Sequence, residues 1–389
     1  MALSRAAVHW IVGLAMPLGC AERLYPDTDC GDAEQQPGEV CFDGDHETID
    51  VPFEPLAVRV APFDGDGLSD ILVTGLDEDG LVVGALSLTQ PDGALGELRA
   101  TTLFGCSAYP AVGDVGDGVI ADLLFDQCDD TMLVFRGHED GTVDPAVSVD
   151  VDVLTLGSAL LDADGDAIGD VIALGTSGSS VAIALARGTG MGFYLPPVLT
   201  TVGTMGAGNA PRSFSIGLID DDLRLDLVLS HGDPVLPPVF VRGAGESFGP
   251  PEPWPELGIA ASVSFANTDG EGDPELVVFR DEPAVVEVWT GKLGTARKVG
   301  STELGGSSLF AAGDFDGDRN LDFAFYDRDD VEVAVWLGDG RGGWEEATTV
   351  RFSAPVEQLA VGDLDADGAA DLVAGTFSRG TITIARGAP

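Results

Sequence analysis

The sequence predicts an all-β fold, a seven-bladed β-propeller of four-stranded blades, from three observations. An acidic residue followed by a short apolar run occurs seven times, and successive copies lie 47 to 56 residues apart. A period near 50 residues indicates a repeat architecture. The apolar runs are short and rich in β-branched or aromatic residues, as in strands, and units of about four strands repeated radially make a propeller. The seven acidic anchors are Asp70, Asp122, Asp170, Asp226, Glu275, Asp322 and Asp371.

The residues before each anchor form a loop that suits a hard cation. In three copies Asp occupies the first, third, fifth and ninth positions of a nine-residue segment. Ca²⁺ takes six to eight oxygen ligands, and carboxylates at this spacing supply several from one turn. An EF-hand is excluded, because it needs a glutamate at the twelfth position and a flanking helix. The sequence therefore predicts Ca²⁺-binding loops between first and second strands. The ligands predicted in units three, six and seven are Asp162, Asp164, Asp166 and Asp170; Asp314, Asp316, Asp318 and Asp322; and Asp363, Asp365, Asp367 and Asp371.

Three further copies keep part of the pattern. Pro62 replaces the first acid in unit one, Leu218 replaces it in unit four, and unit five substitutes Asn and Glu. Unit two has lost the spacing and receives no ligand set. We therefore expect three to six Ca²⁺ ions. The ligands predicted in units one, four and five are Asp64, Asp66 and Asp70; Asp220, Asp222 and Asp226; and Asn267, Asp269, Glu271 and Glu275.

The remaining strands follow from the same repeat. A second apolar run follows each anchor strand after a short polar turn, another strand precedes each loop, and a Pro-flanked one lies between units. The seventh unit reaches residue 389 without an outer strand, whereas residues 48–53 form a strand with no unit of their own. We predict that this strand completes the last blade, since an unpaired edge would otherwise be exposed.

The succession of acidic loop, apolar strand and Gly-rich return, such as residues 188–193, resembles the FG-GAP or VCBS repeat of integrin α-chain-like propellers. The resemblance covers roughly residues 48–389. It implies a Ca²⁺-stabilised binding or adhesion module whose ligands are proteins or glycans.

Composition limits the partners. Lys+Arg number 19 against 66 Asp+Glu, a net charge of −47, which repels nucleic acid and anionic lipid. A hydrophobic content of 44% argues against disorder. Without cations, the loops would hold like charges close together and destabilise the ring.

The N-terminus predicts export. Residues 1–19 carry Arg5 and an apolar stretch too short to span a bilayer, and Gly19-Cys20 is similar to a bacterial lipoprotein cleavage box. The alternative is an ordinary signal peptide with an incidental cysteine. Residues 20–47 are read as an acidic tether and 48–389 as the propeller. We expect a secreted protein, anchored to the bacterial outer membrane or cell surface only through a lipid on Cys20.

The odd number of cysteines is consistent with a lipid on one of them. Five cysteines leave one unpaired if the others form disulfides. Cys106 and Cys128 flank the hairpin of unit two, and antiparallel pairing would place them at bridging distance. Cys30 and Cys41 remain for each other in the tether, and Cys20 remains for the lipid.

Two features bear on ligand binding. The third strand ends in Arg-Gly in four units, at Arg136, Arg187, Arg242 and Arg386. These arginines either pair with rim acids or form an anion site on the loop face; the first reading is favoured. The opposite rim carries turns of variable length, where recognition usually resides on a rigid scaffold.

The sequence predicts a monomeric, non-catalytic module that binds a protein or glycan ligand on this opposite rim, with Tyr109, Tyr326 and Phe377 near it. The alternatives are a propeller-based polysaccharide lyase or hydrolase, and a purely structural envelope component. An enzyme would need residues converging on the channel or the variable rim, and the sequence displays no such set.

Overall fold

The strands of the protein form seven four-stranded antiparallel sheets and one two-stranded sheet. The structure, a computed structural model, describes residues 40–42, 46–103, 105–116, 120–190, 192–204, 211–219, 222, 224–231, 236–270, 274–281, 283–304, 309–327 and 330–388. The predicted export signal, Cys20 and the predicted Cys30–Cys41 disulfide therefore lie outside the described residues, wholly or in part. Within the described residues, no helix has the length and apolarity needed to cross a membrane.

Two short N-terminal strands precede the first blade, and the blades then follow in chain order. The two are Cys41–Phe42 (β1) and Glu47–Asp50 (β2). Blades one to three contain Glu54–Ala61 (β3), Asp70–Leu76 (β4), Val82–Ser87 (β5), Arg99–Thr102 (β6); Ala111–Gly113 (β7), Asp122–Asp126 (β8), Thr131–Phe135 (β9), Val147–Asp150 (β10); Leu154–Leu161 (β11), Asp170–Ser177 (β12), Ser180–Ala186 (β13) and Val198–Thr204 (β14).

Blades four to seven continue the same order. Their strands are Pro211–Gly217 (β15), Asp226–His231 (β16), Val239–Val241 (β17), Glu252–Pro253 (β18); Ser262–Ala266 (β19), Glu275–Asp281 (β20), Ala284–Thr290 (β21), Arg297–Glu303 (β22); Leu309–Gly313 (β23), Asp322–Tyr326 (β24), Glu332–Gly338 (β25), Trp344–Arg351 (β26); Gln358–Gly362 (β27), Asp371–Thr376 (β28) and Thr381–Ala385 (β29). The last strand, Gly387–Ala388 (β30), lies outside the four-stranded blades. Two 3₁₀ turns span Pro255–Leu257 and Phe377–Arg379.

The first strand of each blade is the innermost. Within every blade the strands pair in sequence order, so the first strand is one edge of the sheet. First strands of neighbouring blades contact each other, as β27 contacts β3 and β15 contacts β19. These strands therefore surround the central axis of the ring, as the radial repeat predicted.

Both ends of the chain close the ring, which confirms the predicted closure. The N-terminal β2 pairs with β29, and Thr48 lies opposite Thr383 in that pairing. The last blade thus takes its outer strand from the N-terminal side and its other three strands from the C-terminal side. A second pairing joins β1 to β30, with Cys41 opposite Ala388. Unfolding the last blade would therefore open the ring where the two ends of the chain meet.

The core lies between blades. Seven clusters of buried apolar side chains occur, and each joins residues of two neighbouring blades. Between blades five and six, Phe279 stacks on Phe310 with ring centroids 4.1 Å apart. A fully buried side chain of this size contributes about 1.5–3 kcal/mol. Tyr326 is buried in the cluster between blades six and seven, so it is not part of a binding rim.

The Cys106–Cys128 disulfide predicted from the sequence is present, with Cα atoms 5.7 Å apart. It connects the segment before β7 to the turn after β8. The Cys106 amide also donates to the Asp126 carbonyl at 3.2 Å. The bridge therefore closes the blade-two hairpin at the end opposite its acidic loop.

Candidate metal centre

The acidic loops join the first and second strands of the blades, as predicted. In blade six, β23 ends at Gly313, which pairs with the ninth-position Asp322. The fourth position has a positive φ, 69° at Gly317 and 84° at Gly165, a conformation that glycine adopts without steric cost. This tight turn directs several loop side chains toward one point.

Three loops bring three carboxylates together. The acids at the first, third and ninth positions place one oxygen each within 4.8 Å of the others. Among the described residues, units three, six and seven have this arrangement, and these are the units with the complete sequence motif. The clusters are Asp162, Asp164 and Asp170; Asp314, Asp316 and Asp322; and Asp363, Asp365 and Asp371.

The fifth-position acid has a different place. Asp166, Asp318 and Asp367 do not belong to these clusters. Each accepts a hydrogen bond from the backbone N–H two residues later, at 2.9, 2.8 and 2.8 Å. An Asx-type turn of this kind stabilises the backbone locally. The sequence pattern had assigned this acid the same role as the other three.

The ninth-position carboxylate joins two distant parts of the blade. In blade six, Asp322 Oδ2 accepts from the Phe315 amide at 2.8 Å, and Oδ1 accepts from the Gly338 amide at 2.7 Å. The first donor is in the loop and the second follows the third strand. Equivalent pairs of bonds are made by Asp70, Asp122, Asp170, Asp226 and Asp371.

This pair of hydrogen bonds to the ninth-position carboxylate, called here the carboxylate clamp, does not depend on the other acids of the loop. Asp122 of unit two makes it, although that unit has lost the motif spacing. The six aspartates of the clamp are fully buried. The clamp is therefore a feature of the blade itself, which periodicity alone did not reveal.

The Gly of the Arg-Gly pairs has its explanation in the same clamp. A Cβ on Gly188 would lie 2.4 Å from the Gly169 carbonyl oxygen, and one on Gly338, which follows Leu337 at the same place in blade six, would lie 2.3 Å from that of Leu321. Glycine avoids this clash in five of the six clamps, whereas in unit one Thr89 donates the equivalent amide. The recurrence of this glycine after third strands was the sequence signal that could have predicted the clamp.

The cluster oxygens include acceptors without partners. Asp314 Oδ1 and Asp363 Oδ1 are buried and accept no hydrogen bond, and Asn267 Oδ1 in unit five shares this state. All three occupy the first position of their loops. A buried acceptor left unsatisfied is costly, and the set of hard oxygen donors fits a divalent cation such as Ca²⁺.

Burial shifts the titration of the clamp acids. It raises the pKa of Asp170 to about 6 and that of Asp371 to about 7, against two backbone hydrogen bonds that lower each. Burial also raises the pKa of Asp322 well above its usual range, and the nearby Asp316 adds to the shift. Positive charge brought to these clusters would favour the ionised form.

Arg187 and Arg386 already place positive charge beside two of these clusters. Arg187 Nη1 lies 3.2 Å from Asp164 and 3.3 Å from Glu246. Arg386 Nη1 lies 3.6 Å from Asp365 and 3.7 Å from Asp371. These contacts support the reading of the Arg-Gly arginines as partners of rim acids.

The other two arginines of the set differ in their surroundings. The Arg242 guanidinium lies 5.6 Å from the centre of the Phe240 ring. Arg136 lines a cleft of about 740 Å³ together with His138 on the loop side of blade two. In blade six the corresponding position is Leu337, directly before Gly338.

The incomplete units form no such cluster among the described residues. Asp64 and Asp66 of unit one accept from the Asp66 and Leu68 amides, and Asp222 of unit four accepts from the Arg224 amide at 3.0 Å. Glu275 of unit five accepts from Thr268, and Asp269 borders a small cleft. Asp220 and Glu271 lie outside the described residues.

Comparison with known sequences agrees with the geometry of the sixth and seventh blades. The model of the FG-GAP-like repeat matches residues 314–374, which run from the first acid of unit six to the second strand of blade seven. Residues 314–374 are thus similar to an FG-GAP-like repeat. No curated protein matches the chain.

Solved structures share the propeller fold. Raptor of Chaetomium thermophilum has a TM-score of 0.55 at 13% identity over 88% of this chain, which spans 29% of Raptor's length. The periplasmic gluconolactonase PpgL of Pseudomonas aeruginosa has a TM-score of 0.52 at 14% identity, over 77% of this chain and 85% of its own. The exotype rhamnogalacturonan lyase YesX covers 89% of this chain and 75% of its own at 13% identity, with a TM-score of 0.49. PpgL is an enzyme of similar fold, so the fold alone does not decide catalysis.

Proposed function

We propose that the protein is a Ca²⁺-stabilised propeller of FG-GAP-like repeats that acts as a secreted, non-catalytic module binding a protein or glycan. The observation that carries the cation part is the buried, unpartnered Oδ1 of Asp314 and Asp363 within clusters of three carboxylates. Loops three, six and seven are the proposed sites. Their first, third and ninth acids would hold the ion.

A bound cation would stabilise the scaffold and would take no part in a reaction. It would offset the repulsion among acids that burial makes costly to ionise. The chain's part is to fix the carboxylates through turns and clamps, so the sites are preformed between the first and second strands. Ca²⁺ suits oxygen donors at loosely fixed positions better than Mg²⁺, which demands near-octahedral geometry.

Thermal unfolding tests the cation proposal. A ligand that binds only the folded state stabilises it by RT ln(1 + [L]/Kd), so excess Ca²⁺ is expected to raise Tm and chelation to lower it. Asp314→Asn should remove part of this gain, whereas Asp129→Asn, an exposed turn acid on the opposite rim, should leave the gain intact. Equal Tm values with Ca²⁺ and with chelator would reject the proposal.

The binding face proposed is the rim opposite the acidic loops. Exposed apolar side chains occur there: Leu81 (55% exposed) lies at the turn between β4 and β5, and Ile259 (51%) precedes β19. Tyr109 and Leu154 are also exposed and precede or begin first strands. Apolar groups clustered on a variable rim are typical of a recognition surface.

The rim proposal is tested with the Ca²⁺-loaded protein on a glycan array and in affinity capture with purified surface extracts. Replacing Leu81 and Tyr109 with Ser should abolish a specific signal without lowering Tm. Replacing the exposed Phe193, which lies on a Gly-rich return on the loop side, should not affect it. Turnover of a polysaccharide that one carboxylate substitution abolishes would favour an enzyme instead.

The cellular location forms part of the proposal. An export signal at residues 1–19 and a lipid on Cys20 would hold the propeller at a bacterial outer membrane or cell surface. Cys20→Ser should release the protein from the membrane fraction of the producing cells. Membrane association that persists in this variant would contradict the anchor.

A further inference from the structure

Arg59 occupies an unusual position on an innermost strand. It lies on β3, two residues before Ala61, which pairs with the clamp acid Asp70. Among innermost-strand residues whose side chains are described, it is the only lysine or arginine. The six equivalent positions all hold small side chains: Ala111, Ala159, Ser215, Ser264, Ala311 and Ala360.

The guanidinium of Arg59 bridges two blades at the wall of the central channel. Its Nε donates to the Pro110 carbonyl at 3.1 Å, directly before the innermost strand of blade two, and Nη1 donates to the Val58 carbonyl at 2.8 Å. A guanidinium has five N–H donors, so three have no partner in the protein. Although the chain has 66 acidic residues, Arg59 forms no ion pair with a described carboxylate.

The guanidinium of Arg59 is half-buried and has no carboxylate partner among the described residues. Partial burial lowers the pKa of Arg59 to about 10, and the nearby Tyr109 acts in the opposite direction. A counter-charge would favour such a partly desolvated cation. The bond to Pro110 alone does not require a charge, because Ser215 makes a comparable tie between blades four and five by accepting from the Phe265 amide at 2.9 Å.

We propose that Arg59 is the anchor of an anion site in the channel wall, and that the ligand it takes is a carboxylate, such as the uronate group of an acidic saccharide. The planar guanidinium fork matches a carboxylate with two parallel hydrogen bonds. A singly charged carboxylate is favoured over a doubly charged phosphate, because the chain carries a net charge of −47. Tyr109, exposed and directly before the Pro110 carbonyl that Arg59 contacts, acts electrostatically on the guanidinium. The site is separate from the acidic loops and does not depend on them.

Calorimetric titration of the whole protein with glucuronate tests the proposal, with glucose as the uncharged comparison. Glucuronate should bind one site with a Kd of about 1 mM, and glucose should not bind. Arg59→Ala should weaken glucuronate binding at least tenfold. Arg351→Ala removes an exposed arginine paired with Glu332 on blade six, changes net charge equally and should leave binding intact.

The Tm of the ligand-free protein distinguishes an anion site at Arg59 from a purely structural contact between two blades. Four equivalent positions hold alanine, so Arg59→Ala should fold with a Tm equal to or above that of the native chain. Arg59→Gln, which keeps an N–H donor without the charge, provides the same comparison if the alanine variant folds poorly. Absence of glucuronate binding, binding unchanged by both variants, tighter binding of inorganic phosphate, or a lower Tm for Arg59→Gln would each overturn the proposal.

Discussion

The most informative perturbation of the proposed cation sites is Arg386→Leu. Arg386 is only 18% exposed, and its Nη1 lies 3.6 Å from Asp365 and 3.7 Å from Asp371, two acids of the unit-seven cluster. Leucine is the residue at the equivalent position of blade six, so the substitution converts one loop environment into the other. Arg386 thus acts as a built-in counter-charge that a cation would have to share.

The structure sets the magnitude. A unit charge pair at this distance is worth about 4–5 kcal/mol at an effective dielectric constant of about 20. Removing one partner of a buried pair costs about 3–5 kcal/mol, and the 24% exposure of Asp365 places this case near the lower value. Without cation, we expect a loss of about 3 kcal/mol of unfolding free energy, or about 4 °C in Tm for a chain of this size.

With saturating cation the loss of stability should become smaller. The two acids lose a competing positive neighbour, so the unit-seven site is expected to bind Ca²⁺ about tenfold more tightly, equivalent to about 1.4 kcal/mol. Titration calorimetry of the native chain and the variant measures this change. Leu337→Arg, the reciprocal change in blade six, should weaken one site, while Arg351→Leu should alter none. The reasoning fails if Arg386→Leu changes neither the chelated Tm nor Ca²⁺ affinity.

Three further predictions follow from the clamp and its surroundings. In chelator, stability should fall between about pH 4 and about pH 7, because burial raises the pKa of Asp170 from 3.8 to about 6 and that of Asp371 from 3.8 to about 7. The folded state is favoured while these groups are protonated, and that contribution is lost as the pH rises through their folded pKa values. Ca²⁺ should reduce this loss, and a chelated Tm that increases over this range would contradict it. Gly338→Ala should lower the free energy of unfolding by about 3 kcal/mol, because its Cβ would clash with the backbone. Gly249→Ala, whose Cβ would meet only ordinary contacts, should leave that free energy nearly unchanged in urea unfolding. Similar losses for the two variants would argue against the clash. Asp122→Asn should lower Tm equally with and without Ca²⁺, since unit two uses this acid in the clamp alone, and a loss confined to the Ca²⁺-loaded protein would assign it to a cation site.

The sequence predicted the parts of the fold that local patterns determine. The acid-anchored strands, the blade count and the ring closure by residues 48–53 all follow from period and alternation along the chain. The Cys106–Cys128 disulfide followed from the symmetry of one hairpin. These features involve neighbours in sequence or a simple repeat, so no three-dimensional information was needed.

The missed features involve contacts between distant parts of a blade. The clamp joins Asp322 to the amide of Gly338, at the end of the third strand. A side chain on Gly338 would collide with the Leu321 carbonyl oxygen, a contact that local sequence patterns do not reveal. The fifth-position acids lie outside the clusters of three and accept from their own backbone, an arrangement that the spacing alone does not reveal. Tyr326 was expected near a rim, but it is buried where two blades meet.

The acidic loop therefore combines two functions that can be separated residue by residue. The ninth acid is required by every blade with a clamp, including unit two, which has no cation motif. The first and third acids of units three, six and seven accept hydrogen bonds from loop amides and place further, partly buried negative charge beside that clamp. An ionised clamp acid accepts two amides, whereas protonation turns one of its oxygens into a donor and weakens that pairing. A cation at these three loops would keep the clamp ionised at neutral pH, and in this way ion binding would stabilise the blade hydrogen bonds themselves.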